Sequence, residues 1–218
     1  MQLFTTINGL AAPLLRPNID TDVIIRIERL TTVTNDKLAP YAFEAIRYLA
    51  DGSDDPEFLP GQPPFIGAPI LLAGENFGCG SSRESAVWAL QAMGIRCVIA
   101  PSFGTIFYSN CFQNGVLPIT LPMAQLQQLE ALALTHASFT VDLQRQVIEV
   151  NAVPMAFEID PLRRSMLLEG LDEVGVTLFD DAQIRAWQLA DQQQRPWVWQ
   201  VVEPRPSCDP LHLVELPC

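Results

Sequence analysis

An α/β fold with a mainly parallel central sheet is the class this 218-residue sequence predicts, and three observations carry it. Short apolar runs recur at Ile66–Ala73, Cys97–Ala100 and Val116–Leu121. Segments with helical spacing lie between them at 81–93 and 105–113. Each of those segments ends in a helix-stopping signal, Gly94 in one case and Asn114-Gly115 in the other. Strands alternating with helices at this interval pair in parallel through right-handed crossovers.

The elements follow in chain order. Residues 17–25 place Asp20, Thr21 and Asp22 ahead of Val23-Ile24-Ile25, which reads as a loop entering a strand or extended segment. The two carboxylates flanking a threonine suit a hydrogen-bonded turn or a cation or catalytic site; spacing alone favours the turn. Residues 26–68 are loop-rich, with a short helix predicted over Pro40–Leu49 and a proline-dense connection at 51–64. A connection of that length inside a compact protein is often functional. The segment 81–93 presents Ala86, Leu90 and Met93 on one face. Beyond the third apolar run, a helix is predicted from Pro122 to His136. Two alternating strands follow, Phe139–Leu143 and Gln146–Val150, turning at Gln144-Arg145, and a short strand is expected at Phe157–Ile159. Helices near 161–169 and 180–193 complete a domain placed at 1–195. The proline-containing extension 196–218 is expected to wrap a surface or fray.

Composition narrows the function. Nearly half the residues are hydrophobic and 17% are charged, which predicts a buried core rather than disorder. The net charge of −12, with Lys37 the single lysine, argues against non-specific nucleic-acid binding. No apolar run reaches the roughly 18 residues of a membrane span, and the N-terminus lacks the pattern of a signal peptide. The expectation is a soluble cytoplasmic protein that binds neither membrane nor nucleic acid. Five cysteines (79, 97, 111, 208 and 218) show no C-x-x-C spacing, and two histidines form no metal constellation, so no metal site is assigned to this chain. Cys79 alone cannot hold an iron–sulfur cluster, which generally takes about four ligands.

The densest chemistry lies in Gly74–Glu84, GENFGCGSSRE. Ser81 and Ser82 are read as the N-cap and first turn of the following helix, with Glu84 and Ser85 in capping-box range. Capping accounts for one serine but not for two together with Arg83 and a cluster of glycines. Gly74, Gly78 and Gly80 are read as places where a ligand approaches the backbone closely. The functional reading is an anion pocket in which helix-terminal amides and the Arg83 fork hold a carboxylate. A serine there is a proton-transfer group if positive charge lowers its pKa. Phosphate is the competing ligand, but the loop lacks the P-loop lysine and does not match the dinucleotide G-x-G-x-x-G.

These residues also carry a resemblance. NFGCGSSRE, preceded by NIDTD and followed by IRCVIAPSFGTIFYSNCFQNGVLPI, resembles the small subunits of 3-isopropylmalate dehydratase, the separate swivel domain of the aconitase superfamily, from about residue 1 to about residue 190. The resemblance implies a three-layer β/β/α swivel fold. It implies a hydro-lyase that dehydrates and rehydrates a small hydroxy dicarboxylate, most simply interconverting 3- and 2-isopropylmalate in leucine biosynthesis. It further implies a large partner subunit carrying a [4Fe-4S] cluster, so that no cofactor is bound by this chain. Ser81 would be the base and Asp22 a second catalytic residue, while Ser82 and Arg83 bind a substrate carboxylate.

The segment after NIDTD departs from the pattern. Arg26 replaces a proline, and Ile27 to Leu30 and Thr34 to Asp36 replace a basic residue followed by Thr-Gly; Ser85 stands where histidine is usual. Because that segment is associated with substrate recognition, a paralogue acting on 2-methylmalate/citraconate or dimethylmaleate is the alternative. Arg26 and Arg29 become candidate ligands for a second carboxylate, or plain surface arginines. A reading from another class, a non-catalytic carboxylate- or RNA-binding module, is opposed on the RNA side by the acidic charge.

Overall fold

The computed structural model describes residues 2–199. By its internal contacts the chain forms two units, residues 1–176 and residues 177 onward.

The larger unit is built on two four-stranded sheets. Strands β1 (Thr6–Gly9) and β2 (Ala11–Leu14) enter different sheets, although only Leu10 separates them. β2 pairs in parallel with β3 (Ile70–Ala73), β3 with β4 (Cys97–Ala100), and β4 with β5 (Leu117–Thr120). β1 pairs antiparallel with β6 (Phe139–Asp142), followed by β7 (Val147–Val150) and β8 (Val153–Ala156). Alternation along the parallel strands divides the core. Ile70, Leu72, Cys97, Ile99, Leu117 and Ile119 face the antiparallel sheet and meet Phe139, Val141, Ile148 and Val150. Leu71, Ala73, Val98 and Ala100 face the other way, onto a helical layer containing Ala86, Val87, Ala89 and Leu90. The result is the three-layer β/β/α arrangement. Each fully buried leucine, isoleucine or phenylalanine in these layers contributes about 2 kcal/mol of transfer free energy.

The helices are α1 (Thr21–Ile24), α2 (Ile27–Leu30), α3 (Glu44–Arg47), α4 (Ser85–Ala92), α5 (Thr105–Gln113), α6 (Met123–Leu134), α7 (Pro161–Glu169) and α8 (Glu173–Thr177). α5 has the bounds its sequence predicted, and the 144–145 turn joins β6 to β7 as an antiparallel hairpin. In the second unit, α9 (Asp181–Gln194) ends in a small knot: the buried Asp191 carboxylate accepts from Arg195 Nε (2.7 Å) and Trp199 Nε1 (2.8 Å). The expectation for the tail concerns residues that, beyond 199, lie outside the described ones.

Several elements differ from expectation, each for a visible reason. Val23-Ile24-Ile25 do not begin a strand. Asp20 caps a single helical turn instead, its Oδ1 accepting from Val23 N at 2.7 Å. The helix expected over Pro40–Leu49 is broken by Phe43, which takes a left-handed φ of 59°. Phe43 N donates to Ile24 O (2.9 Å), and its buried ring packs 5.5 Å from Phe58, so tertiary packing overrides local propensity. The strand expected at 157–159 forms at Val153–Ala156, where Pro154 is tolerated because β8 is a sheet edge. β1 and β2 were not foreseen: Thr-Ile-Asn-Gly and Ala-Ala-Pro-Leu are weak strand formers held by pairing, and Pro13 again lies on an edge strand.

The glycines of the 74–84 loop serve packing within the chain. A Cβ on Gly74 would lie 2.4 Å from Arg16 O. At Gly78, with φ +71°, it would lie 2.2 Å from the Phe107 ring. The close approach at both is the protein's own, which corrects their reading as ligand contacts. Gly78→Ala combines left-handed strain with overpacking and is expected to destabilise the chain by about 3 kcal/mol. Urea unfolding of the purified protein measures this.

Candidate active site

Two loops zip together at one end of the parallel sheet. Asn18 N donates to Glu75 O (2.8 Å), Gly78 N to Ile19 O (2.7 Å) and Thr21 N to Cys79 O (2.9 Å). The amide of Asn76 adds a side-chain bond to Asn18 Oδ1 at 2.9 Å. Thr21 is buried between the loops and closes the seam, its hydroxyl donating to Ser81 O at 3.0 Å. In the sequence Thr21 stands out only as a residue between two aspartates. Its role shows only when residues 60 apart in sequence meet.

This seam brings four of the six sequence candidates together. Arg83 Nη1 donates to Asp22 Oδ1 in a short ion pair; the Arg83 side chain is 20% exposed and that of Asp22 55%. Ser81 and Ser82 flank the pair, both exposed, and neither hydroxyl has a hydrogen-bond partner among the described residues. The other two candidates are placed differently. Arg29 Nε donates to Glu44 Oε2 (2.8 Å), with a second, shorter contact between Nη2 and Oε1, and its guanidinium lies 4.6 Å from the Tyr41 ring centre. The hydrogen bond from Arg29 holds the Glu44 carboxyl below the usual carboxylate range. Arg26 is half-exposed, 3.9 Å from Glu28. Neither arginine bonds to Ser81, Ser82 or Arg83.

The serines are not caps, contrary to the sequence reading. α4 begins at Ser85 with Glu84 at the N-cap position, and no side-chain cap bond forms. Ahead of the serines, Gly80 takes a left-handed φ of 92°. Thr21 takes the Ser81 carbonyl that would have opened the helical ladder. The consequence is chemical. The backbone amides of Gly80 to Glu84 donate to no acceptor among the described residues. Exposed donors of that kind beside an arginine suit an anion. With Asp22 on Nη1, the Nε/Nη2 edge of Arg83 has no partner, and that edge is the one that grips a carboxylate in two-point fashion.

Residues 1–124, more than half of the chain, match the model of the aconitase C-terminal domain. The chain belongs to the aconitase C-terminal domain family. The match contains β1 to β5 and both loops of the seam, and stops just inside α6. Full-length relatives extend it. The 3-isopropylmalate dehydratase small subunit of Paramagnetospirillum magneticum is 47% identical over 201 residues, covering 91% of this chain and 100% of that one. That of Cupriavidus necator is 50% identical over 204 residues, covering 91% and 98%. A crystal structure of 3-isopropylmalate dehydratase from Methanocaldococcus jannaschii superposes with a TM-score of 0.61 at 30% identity, covering 84% of this chain and 99% of its own. The aconitase-type fold and its hairpin-bearing second sheet therefore continue well beyond the matched family region.

Proposed function

We propose that this chain is the small subunit of a cytoplasmic 3-isopropylmalate dehydratase, a hydro-lyase of leucine biosynthesis that works with a large subunit. The observation that carries the reading is the convergence of Ser81, Ser82, Arg83 and Asp22 at one seam, in a chain that spans its small-subunit relatives end to end.

Each residue has a task that its surroundings support. Ser81 Oγ removes the proton from the carbon beside a substrate carboxylate. A serine is a poor base unless its alkoxide is stabilised, and the unpartnered amides around it together with the Arg83 charge do this. Arg83 grips the carboxylate through its Nε/Nη2 edge, and the Ser82 hydroxyl adds a donor. Asp22 holds the Arg83 fork in place and remains a second ionisable group within reach of substrate. Of the two departing arginines, Arg29 is engaged by Glu44, which leaves Arg26 as the cation for the second carboxylate.

Two of the described cysteines are poorly suited to ligate a cluster. Cys97 and Cys111 are buried, and burial pushes both thiols far above the ordinary cysteine range. Among the described residues no group of three or more His, Cys, Asp or Glu converges to hold a metal. The resemblance to the aconitase superfamily assigns a [4Fe-4S] cluster to the large subunit, where it would supply a Lewis acid for the departing hydroxyl.

The test is anaerobic co-purification with a large dehydratase subunit, followed by alkene formation from 3-isopropylmalate and from 2-methylmalate. Turnover of 3-isopropylmalate is expected. Exclusive turnover of 2-methylmalate reassigns the substrate, and turnover of neither overturns the reading.

A further inference from the structure

We infer that Glu84 and Asn114 form a strut that positions the Ser81–Arg83 loop, giving a task to the one charged residue of the GSSRE run that neither capping nor substrate binding explains. The inference rests on the proposed function for its kinetic part.

Asn114 closes α5, 30 residues away in sequence, and its side chain reaches back to the start of α4. Its Oδ1 accepts from Trp88 Nε1 at 2.9 Å. Indole N–H is donor-only, so this bond fixes which way the amide points. Nδ2 is thereby aimed at Glu84 Oε1 (2.9 Å) and Asn110 O (2.9 Å). The Asn114 carbonyl is held in turn by Gln91 Nε2 at 2.6 Å. One side chain thus ties Glu84, Trp88 and α5 into a single network, with Gln91 joined through its backbone.

The loop needs such a fixed point. From Gly80 to Glu84 its own amides donate no hydrogen bond among the described residues, so it is held by few contacts. At its front are the Thr21 bonds to Cys79 O and Ser81 O, and at its middle the Arg83–Asp22 pair. Glu84 is the side-chain anchor at its rear, one residue after Arg83 and three after Ser81. Loss of the strut frees the rear of the loop while leaving every substrate-touching side chain chemically intact. Displacing a catalytic group by about 1 Å lowers turnover by roughly a hundredfold.

The test uses the complex with the large subunit and four variants: Glu84→Ala, Asn114→Ala, the double variant, and Glu84→Gln, which keeps an Oε1 acceptor. Each Ala variant is expected to lose about 10- to 100-fold in kcat, with complex yield unchanged. The double variant is expected to lose no more than the worse single, and Glu84→Gln to retain most of the activity. Additive losses in the double variant, or loss in Glu84→Gln equal to that in Glu84→Ala, overturn the strut. A readout independent of turnover is hydrogen–deuterium exchange of Ala86 to Trp88, whose amides bond to Arg83 O and Glu84 O. Exchange should quicken in both Ala variants and not in Glu84→Gln, and unchanged exchange in the Ala variants also overturns the inference. Wild-type complex that turns over no substrate, with exchange changing as stated, sinks the functional reading and spares the strut.

Discussion

Replacing Ser81 by alanine is expected to lower kcat of the reconstituted complex by about a thousandfold while leaving its assembly and melting temperature unchanged. The two halves of that expectation have separate causes. Ser81 is exposed, and its hydroxyl bonds to nothing in the described chain, so truncation removes no packing and no internal hydrogen bond. What Thr21 holds is the Ser81 carbonyl, which alanine also has. A large kinetic loss without a structural one therefore isolates proton transfer. Ser82→Ala is the internal control. Its hydroxyl is equally exposed but is assigned to binding, so the loss should appear chiefly in KM and reach about tenfold, the worth of one hydrogen bond. Measuring kcat and KM on 3-isopropylmalate for both variants decides the matter. Equal kcat losses would remove the distinction between the serines, and normal turnover by Ser81→Ala would end its assignment as base.

The central βαβαβ unit was legible in the sequence because its signals are local and mutually consistent. Three apolar runs, two helical segments and a Gly or Asn-Gly stop after each helix all point the same way, and the pairing of β3, β4 and β5 follows. What was not legible depends on contacts remote in sequence. β1 and β2 are poor strands by composition and exist because β6 and β3 pair with them. Phe43 breaks a helix because its ring belongs in an aromatic cluster with Phe58 and Phe77. At the site the residue types announced anion chemistry, and they do gather. Their local geometry differs from the capping pattern S-S-R-E, because Thr21 holds the Ser81 carbonyl and α4 begins only at Ser85. That difference is informative: a serine freed from capping is a serine available for chemistry. Asn114 was read only as the end of a helix, since nothing in a sequence marks a side chain that reaches back 30 positions.

Arg83→Lys is expected to lower kcat/KM by about a hundredfold or more, although it preserves the charge. In the free chain Arg83 already has an anionic partner, the Asp22 carboxylate on Nη1. A substrate carboxylate does not have to displace it, because a guanidinium offers a second edge, Nε with Nη2, in fixed planar geometry. A lysine has no second edge. Its single ammonium would be shared between Asp22 and the substrate, so one of the two must lose its partner. The Asp22→Asn variant tests the same logic from the other side. An asparagine oxygen can still accept from Nη1, so Arg83 stays in place and the site gains one positive charge. Substrate binding should then be retained or tightened while kcat falls, because the group lost is an ionisable one. Combining the two changes supplies the decisive comparison. If the lysine fails through competition with Asp22, its KM should recover in the Asp22→Asn background by several-fold. Absence of that recovery would mean that two-point geometry alone, not competition for charge, makes arginine necessary at this position.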